Sequence, residues 1–304
     1  MQQNDCKMSD GLFTENQKRS IGMRVFIYLI VLFVSTIVGV GISGLFVPNT
    51  ENGMKISQGI MSIMMFVVPP IVYYFITRKK HPMRDLGFRK LTAPWWLIII
   101  GVFLMFVSLP ITNILTEWNE SMKLGGVFQR LEDYLKALEQ SATDTTERML
   151  NVDTLGGLVF NLIVIALIPA IGEEMTFRGV LQQSLTRGMK NPHIAIILSA
   201  AIFSFIHFQF YGFLPRMFLG ILLGYMFYTS GSLWTSILMH FVNNGTAVVL
   251  YYLYYKGIIS IDAEHFGETQ SISLIVTSVV ATVMLVFWSW TTTSQLHNKQ
   301  KNLA

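Results

Sequence analysis

The sequence predicts an all-α bundle of about eight membrane-spanning helices. Three observations predict it. Only 13% of the 304 residues are charged and 52% are hydrophobic, against about 25% charged in a soluble domain. Mean hydropathy is +0.50, and the apolar residues fall in runs near the roughly 20 residues that a spanning helix needs. The basic residues collect at alternate ends of those runs, as they do in membrane proteins.

The elements follow in order. The first twenty residues are polar, and Lys18, Arg19 and Arg24 then precede an apolar run from about Val25 to Val47. That run is too long for a signal-peptide core and no small-residue cleavage site follows, so it reads as an uncleaved anchor with its N-terminus inside. The second run covers about Ile56 to Ile76, with Pro69 and Pro70 bending it. A basic loop holds Arg78, Lys79, Lys80, Arg84, Arg89 and Lys90. The third helix is opened by Pro94 and an interfacial pair, Trp95 and Trp96, and extends to about Leu115. The fourth starts near Leu155 and continues past Glu173. The remaining four cover about Ile194 to Phe210, Leu214 to Tyr228, Leu233 to Tyr254 and Ser273 to Trp290.

Placing both termini in the cytoplasm puts 15 of the 22 Lys and Arg residues inside and 7 outside. This sorting by side, rather than clustering, argues against a nucleic-acid partner; the partners expected are the lipid bilayer and a membrane-associated protein or peptide. The expected location is a bacterial cytoplasmic membrane. Cys6, in the polar tail, is the one cysteine, so there is no intrachain disulfide and no cysteine metal site. Four parts are expected: a tail over 1–24, N-terminal membrane helices over 25–153, a core over 154–255, and a last loop, helix and tail over 256–304. Within the second part, 117–153 is an outer segment in which Leu131, Leu135 and Leu138 form an amphipathic stripe suited to packing on the bundle or the membrane surface. Oligomeric state is not legible.

Ionisable groups inside apolar runs are costly and mark function. The charge-free run from Leu155 to Ile171 ends in Glu173, Glu174 and Arg178. Glu174 and Arg178 are i, i+4 and share a helix face, so they can pair. Glu173 points about 100° away, and its i+4 neighbour is the apolar Phe177. One carboxylate is thus neutralised on its own helix and the other is left as a candidate general base. Pro169 is expected to kink the helix beside them and open it towards the cytoplasm. Ordinary solvated charges at a helix end are the competing reading of this motif.

Two later helices add Phe203-x-x-x-His207 and His240-x-x-x-Asn244. A single histidine of this kind is usually a satisfied core residue. Three segments with polar groups at i, i+4 spacing make a stronger case together. A carboxylate base, a histidine to hold water and a His/Asn pair for an oxyanion are the parts for amide hydrolysis without a nucleophilic side chain. Neither a G-x-S-x-G nor an H-E-x-x-H motif is present. Glu173, His207 and His240 would also make a Glu/His/His ligand set for a divalent metal such as zinc. His81, His193, His265 and His297 read as loop, interfacial or tail residues. Gly220-x-x-x-Gly224 reads as a close helix-packing site.

At these residues the chain resembles the CPBP family, the CAAX proteases and bacteriocin-processing enzymes also called the Abi or CAAX prenyl protease 2 family. Its Glu-Glu-x-x-x-Arg motif is matched by Glu173, Glu174 and Arg178, its Phe-x-x-x-His by Phe203 and His207, and its His-x-x-x-Asn by His240 and Asn244. The resemblance covers roughly 155–250. It implies an intramembrane endopeptidase with its site open to the cytoplasm. By the same resemblance, Glu173 and His207 would activate water, His240 and Asn244 would form the oxyanion site, and Glu174, Arg178 and Phe203 would support them. Members are described both as metalloproteases and as metal-independent glutamate proteases. Eukaryotic relatives trim prenylated proteins, and bacterial ones are linked to bacteriocin maturation or immunity. A non-catalytic immunity or scaffold protein of the same fold is the alternative. A proton-coupled transporter is a third reading, disfavoured by the lack of an internal repeat.

Overall fold

The computed structural model describes residues 15–48, 50–77, 81–91, 93–189, 191–260 and 266–302; Cys6, Arg78, Lys79, Lys80 and His265 lie outside them. Among the described residues every regular element is helical. In chain order they are α1 (Glu15–Phe46), α2 (Glu51–Ile76), α3 (Pro82–Leu86), α4 (Trp96–Val107), α5 (Leu109–Glu120) and α6 (Gln129–Leu150). Then come α7 (Leu155–Gly188), α8 (Pro192–Phe205), α9 (Phe213–Ser230), α10 (Leu233–Tyr255) and α11 (Ile272–Asn302).

Eight spans were expected; length and apolarity qualify four, or five if α4 and α5 count as one span bent by 44°. The four are α2, α7, α1 over Val25–Phe46 and α11 over Ile272–Gln295. The shortfall lies in α8, α9 and α10. The first has only 14 residues, and the others carry Arg216 or the His240, Asn243 and Asn244 group. These polar residues line an internal cavity, while α1 and α11 are the outer helices. Only 17% of either outer helix window is buried, and Phe33, Leu45, Val283 and Phe287 are exposed.

The expected kink at Pro169 does not break α7. A π-helical stretch, Leu162–Leu167, comes first, and the N–H of Ile168 reaches back five residues to the Ile163 carbonyl. The same device precedes Pro69 and Pro70 on α2, where Ile63–Val67 is π-helical and Val68 N–H bonds the Ile63 carbonyl. A wider turn relieves the clash of a proline ring with the preceding turn. The real break is at Ser108, where α4 gives way to α5 with Pro110 at its start.

The core has two main parts. Leu97, Leu104, Leu223, Met226 and Met239 join α4, α9 and α10. Tyr74, Leu86, Met175, Phe227 and Ile237 join α2, α3, α7, α9 and α10. Between them α7 crosses α2 closely. A Cβ on Gly172 would lie 2.9 Å from Phe66 Cβ and 3.3 Å from its carbonyl carbon. The residue before Glu173 is therefore clamped rather than loose.

Loop contacts define the two ends of the bundle. At one end Leu233 N donates to the Gly87 carbonyl over 2.9 Å, and Ser232 Oγ to the Arg89 carbonyl over 2.7 Å. At the other, Asn119 at the end of α5 clamps the turn between α8 and α9. Its Nδ2 donates to the Phe210 carbonyl over 2.9 Å, and its Oδ1 accepts from Leu214 N over 2.7 Å. Glu139 on α6 takes Tyr211 N over 3.1 Å. The stripe on α6 is not wholly covered: Leu131 is exposed while its neighbour Glu132 is buried.

Candidate active site

Helix pitch brings the expected residues together. On α7 Arg178 Nη1 donates to Glu174 Oε1, as the i, i+4 spacing requires. Both residues are buried. Arg178 Nη2 donates 2.9 Å to the carbonyl of Gly220 on α9, and its guanidinium lies 5.0 Å from the Phe203 ring centroid. Gln182, one turn on, donates 2.9 Å to the Gly224 carbonyl. The small-residue stripe of α9 thus brings backbone acceptors to the motif helix as well as packing against α8.

His240 on α10 faces both glutamates. Its Nδ1 lies 2.9 Å from Glu174 Oε1, and its Nε2 lies 3.7 Å from Glu173 Oε2. Glu174, held by Arg178, accepts, so the hydrogen on Nδ1 is set by the partner and Nε2 is the nitrogen facing Glu173. A gap of 3.7 Å is too long for a direct hydrogen bond. Glu173, unpartnered on its own helix, is therefore addressed from across the bundle.

His207 was expected within a helix reaching Phe210. The helix ends at Phe205, and His207 sits in the turn beyond it. Phe208 causes the early end: its φ of 53° takes the chain out of the helical region. His207 Nδ1 donates 2.8 Å to the Phe203 carbonyl, which leaves Nε2 as its acceptor. The Phe203 ring packs between the two imidazoles, with centroid distances of 5.1 Å to His207 and 6.1 Å to His240. Asn244 Oδ1 accepts from Asn243 Nδ2 over 3.2 Å, leaving the Asn244 amide hydrogens available.

Glu173, His207, His240 and Asn244 line one cavity of about 580 Å³, an ordinary size for a ligand site. Its lining also includes Glu117, Glu120, Glu139 and Glu268. The cavity therefore extends from Glu173 towards the end bearing the 117–153 segment. Pro169 was expected to open the helix, whereas α7 runs through it by way of the π-turn. Sequence reasoning also missed Asn243 and Arg216, which line the same cavity. An arginine in the first turn of an apolar helix was the available signal.

Among the described residues no three His, Cys, Asp or Glu side chains are grouped to hold an ion. Each histidine donates its Nδ1 hydrogen, His207 to the Phe203 carbonyl and His240 to Glu174, and keeps its Nε2. No step below uses a metal. His193, read as interfacial, contacts Tyr225 Oη at 2.8 Å and packs 4.5 Å from the Trp290 ring, away from this cavity.

The fold and cavity define an all-α polytopic membrane protein with a Glu/His/Asn cluster lining an internal cavity. Residues 155–246 match the family described as Rce1-like, type II CAAX prenyl endopeptidase Rce1-like. The match covers under a third of the chain and makes that stretch similar to the family. No curated protein and no solved structure gives a match.

Proposed function

We propose that the chain is an intramembrane endopeptidase that hydrolyses peptide bonds of membrane-associated substrates with an activated water. The family supports an intramembrane CAAX-type protease in general. One observation carries the mechanism: Glu173 stands 3.7 Å from the Nε2 of a histidine whose Nδ1 is already committed to Glu174. A water beside Glu173 can donate one hydrogen to its carboxylate and be held by the Nε2 acceptor of His207. Glu173 takes the proton as the water oxygen attacks the scissile carbonyl carbon. The developing oxyanion accepts from Asn244 Nδ2 and, when His240 carries both ring hydrogens, from its Nε2–H. The proton on Glu173 then passes to the leaving amine, and the C–N bond breaks. Arg178 and Glu174 act through His240 by fixing its tautomer and orientation, the role a buried carboxylate has behind any catalytic histidine.

With the basic loop in the cytoplasm, by the excess of Lys and Arg on that side, the cavity faces the outer leaflet. Substrate then arrives from that side. The test compares membrane proteomes from cells carrying wild type and Glu173→Gln. New protein termini present only with wild type are the expected result. Identical termini from both would leave a non-catalytic protein of this fold as the reading.

A further inference from the structure

Arg216 stands in the wall of the same cavity and the reaction above does not use it. It is the single Lys or Arg lining that cavity among the described residues. Nη2 donates 2.8 Å to Gln209 Oε1. Nη1 is shut off from solvent and has no hydrogen-bond partner. Glu139 and Glu173 are within electrostatic reach, yet neither forms an ion pair with it; Glu139 is turned onto Tyr211 N instead. A buried charged donor without an acceptor is costly and needs a partner that the chain does not supply.

The surroundings are built to keep the guanidinium where it is. Gln209 orients one nitrogen. Gly212 leaves it room, since a Cβ there would lie 2.9 Å from Arg216 Nη2. Arg216 lines the chamber that also holds Glu173 and His240, where a peptide must lie to be cut. Arginine's planar fork matches carboxylates and phosphates, and a peptide carries the first. Met105, Leu219 and Leu223 give the chamber an apolar wall, suited to apolar residues beside that carboxylate.

We propose that Arg216 binds a carboxylate of the substrate inside the cavity, a role that rests on the peptidase reading. The carboxylate has two sources: the C-terminus of the bound peptide or an Asp or Glu side chain.

The test uses full-length protein in detergent carrying Glu173→Gln, so that binding is read without turnover. Three probes separate the sources: N-acetyl-Ala-Leu-Ala-Leu as the free acid, the same peptide as its amide, and N-acetyl-Ala-Leu-Asp-Leu amide. One carboxylate probe should bind about ten-fold or more tightly than the plain amide, as a charge-assisted bond implies. Gain by the free acid assigns the chain end, and gain by the aspartate amide assigns the side chain. Adding Arg216→Gln should erase the gain. Gly212→Ala, which crowds the guanidinium without removing it, should shrink it and guards against a folding defect in the arginine variant. Equal binding of all three probes, no binding of any, or a gain that survives Arg216→Gln overturns the proposal; equal binding means that water satisfies Nη1. Cleavage of the probes by wild type but not by Glu173→Gln is scored separately. The peptidase reading can therefore fail while the carboxylate site stands, and the reverse.

Discussion

His240 and Arg178 share one oxygen of Glu174: His240 Nδ1 lies 2.9 Å from Oε1, and Arg178 Nη1 donates to the same atom. The chain Arg178–Glu174–His240 ties α7 to α10 and presents His240 Nε2 towards Glu173. The two adjacent glutamates thus do different work. One is consumed by internal partners and the other faces the cavity.

Glu173→Gln should remove activity while leaving the protein's level and thermal unfolding close to wild type. The change keeps shape and hydrogen bonding but removes the proton acceptor. General-base catalysis is worth roughly 10²–10⁴-fold. Peptide cleavage by purified protein measures it, and retention of more than about a tenth of wild-type rate would sink the base role.

Glu174→Ala should act differently, lowering stability as well as rate. It leaves the Arg178 guanidinium buried without its carboxylate, and breaking a buried pair costs about 3–5 kcal/mol. Glu174→Leu with Arg178→Met should be less destabilising than the sum of the single changes. Thermal unfolding of the four proteins closes the double-mutant cycle; additive losses would mean that the pair has no coupling.

Gly172→Ala tests the clamp on the residue before the base. The new methyl meets Phe66 Cβ at 2.9 Å and the Phe66 carbonyl carbon at 3.3 Å. Backbone cannot rotate out of the way, so α2 and α7 must separate and Glu173 must move. Loss of at least ten-fold in cleavage is expected, with reduced thermal stability. Gly156→Ala on the same helix meets nothing within 4 Å and should change neither, since alanine is the better helix former. Equal effects from both would show that the approach to Phe66 is not tight.

Glu132 gives a pH dependence outside the membrane helices. It accepts the N–H of Gly125 and of Leu124, each over 2.9 Å, and Lys136 Nζ over 2.7 Å. The Gly125 bond leads, with Lys136 next, in pushing its carboxyl down to about 2 from an ordinary 4.5. A carboxyl depressed on folding adds stability above its unfolded value, and that stability is lost as pH falls through the folded one. Wild type should therefore exceed Glu132→Gln in thermal stability above about pH 4.5. The gap should close steadily towards about pH 2. A gap independent of pH over that window would assign the effect to packing.

Much of the site was legible because helix spacing alone dictates it. The i, i+4 rule pairs Glu174 with Arg178 whatever surrounds them, and the cost of polar groups in apolar runs singled out His207, His240 and Asn244. What failed depended on contacts between elements. The end of α8 before His207 is set by the left-handed Phe208 and by Asn119, 91 residues away from the Phe210 carbonyl it holds. Pro169 was read as an opening because a proline's effect depends on the turn before it, and no pattern in Leu162–Leu167 announces a π-turn. Arg216 was passed over because its neighbours, Gln209 and Gly212, carry no motif.

Placement of the cavity gives the last prediction. The cavity extends from Glu173 towards the end of the bundle bearing the 117–153 segment, while the turn holding Gly87 and Arg89 is at the other. With the basic loop inside, a cysteine at Lys123 in a Cys6→Ser background should react with an impermeant thiol reagent added to intact cells. A cysteine at Arg84 should react only after the membrane is opened. The decisive position is Thr116, which lines the cavity. Thr116→Cys should label from the same side as the Lys123 variant, at a lower rate because the site is recessed, and a short apolar peptide acid should slow it further. Labelling of Thr116→Cys only together with the Arg84 variant would move the mouth to the basic end and overturn the access route. Reversal of all three would keep the route but turn the whole protein over, so that substrate would have to come from the cytoplasm.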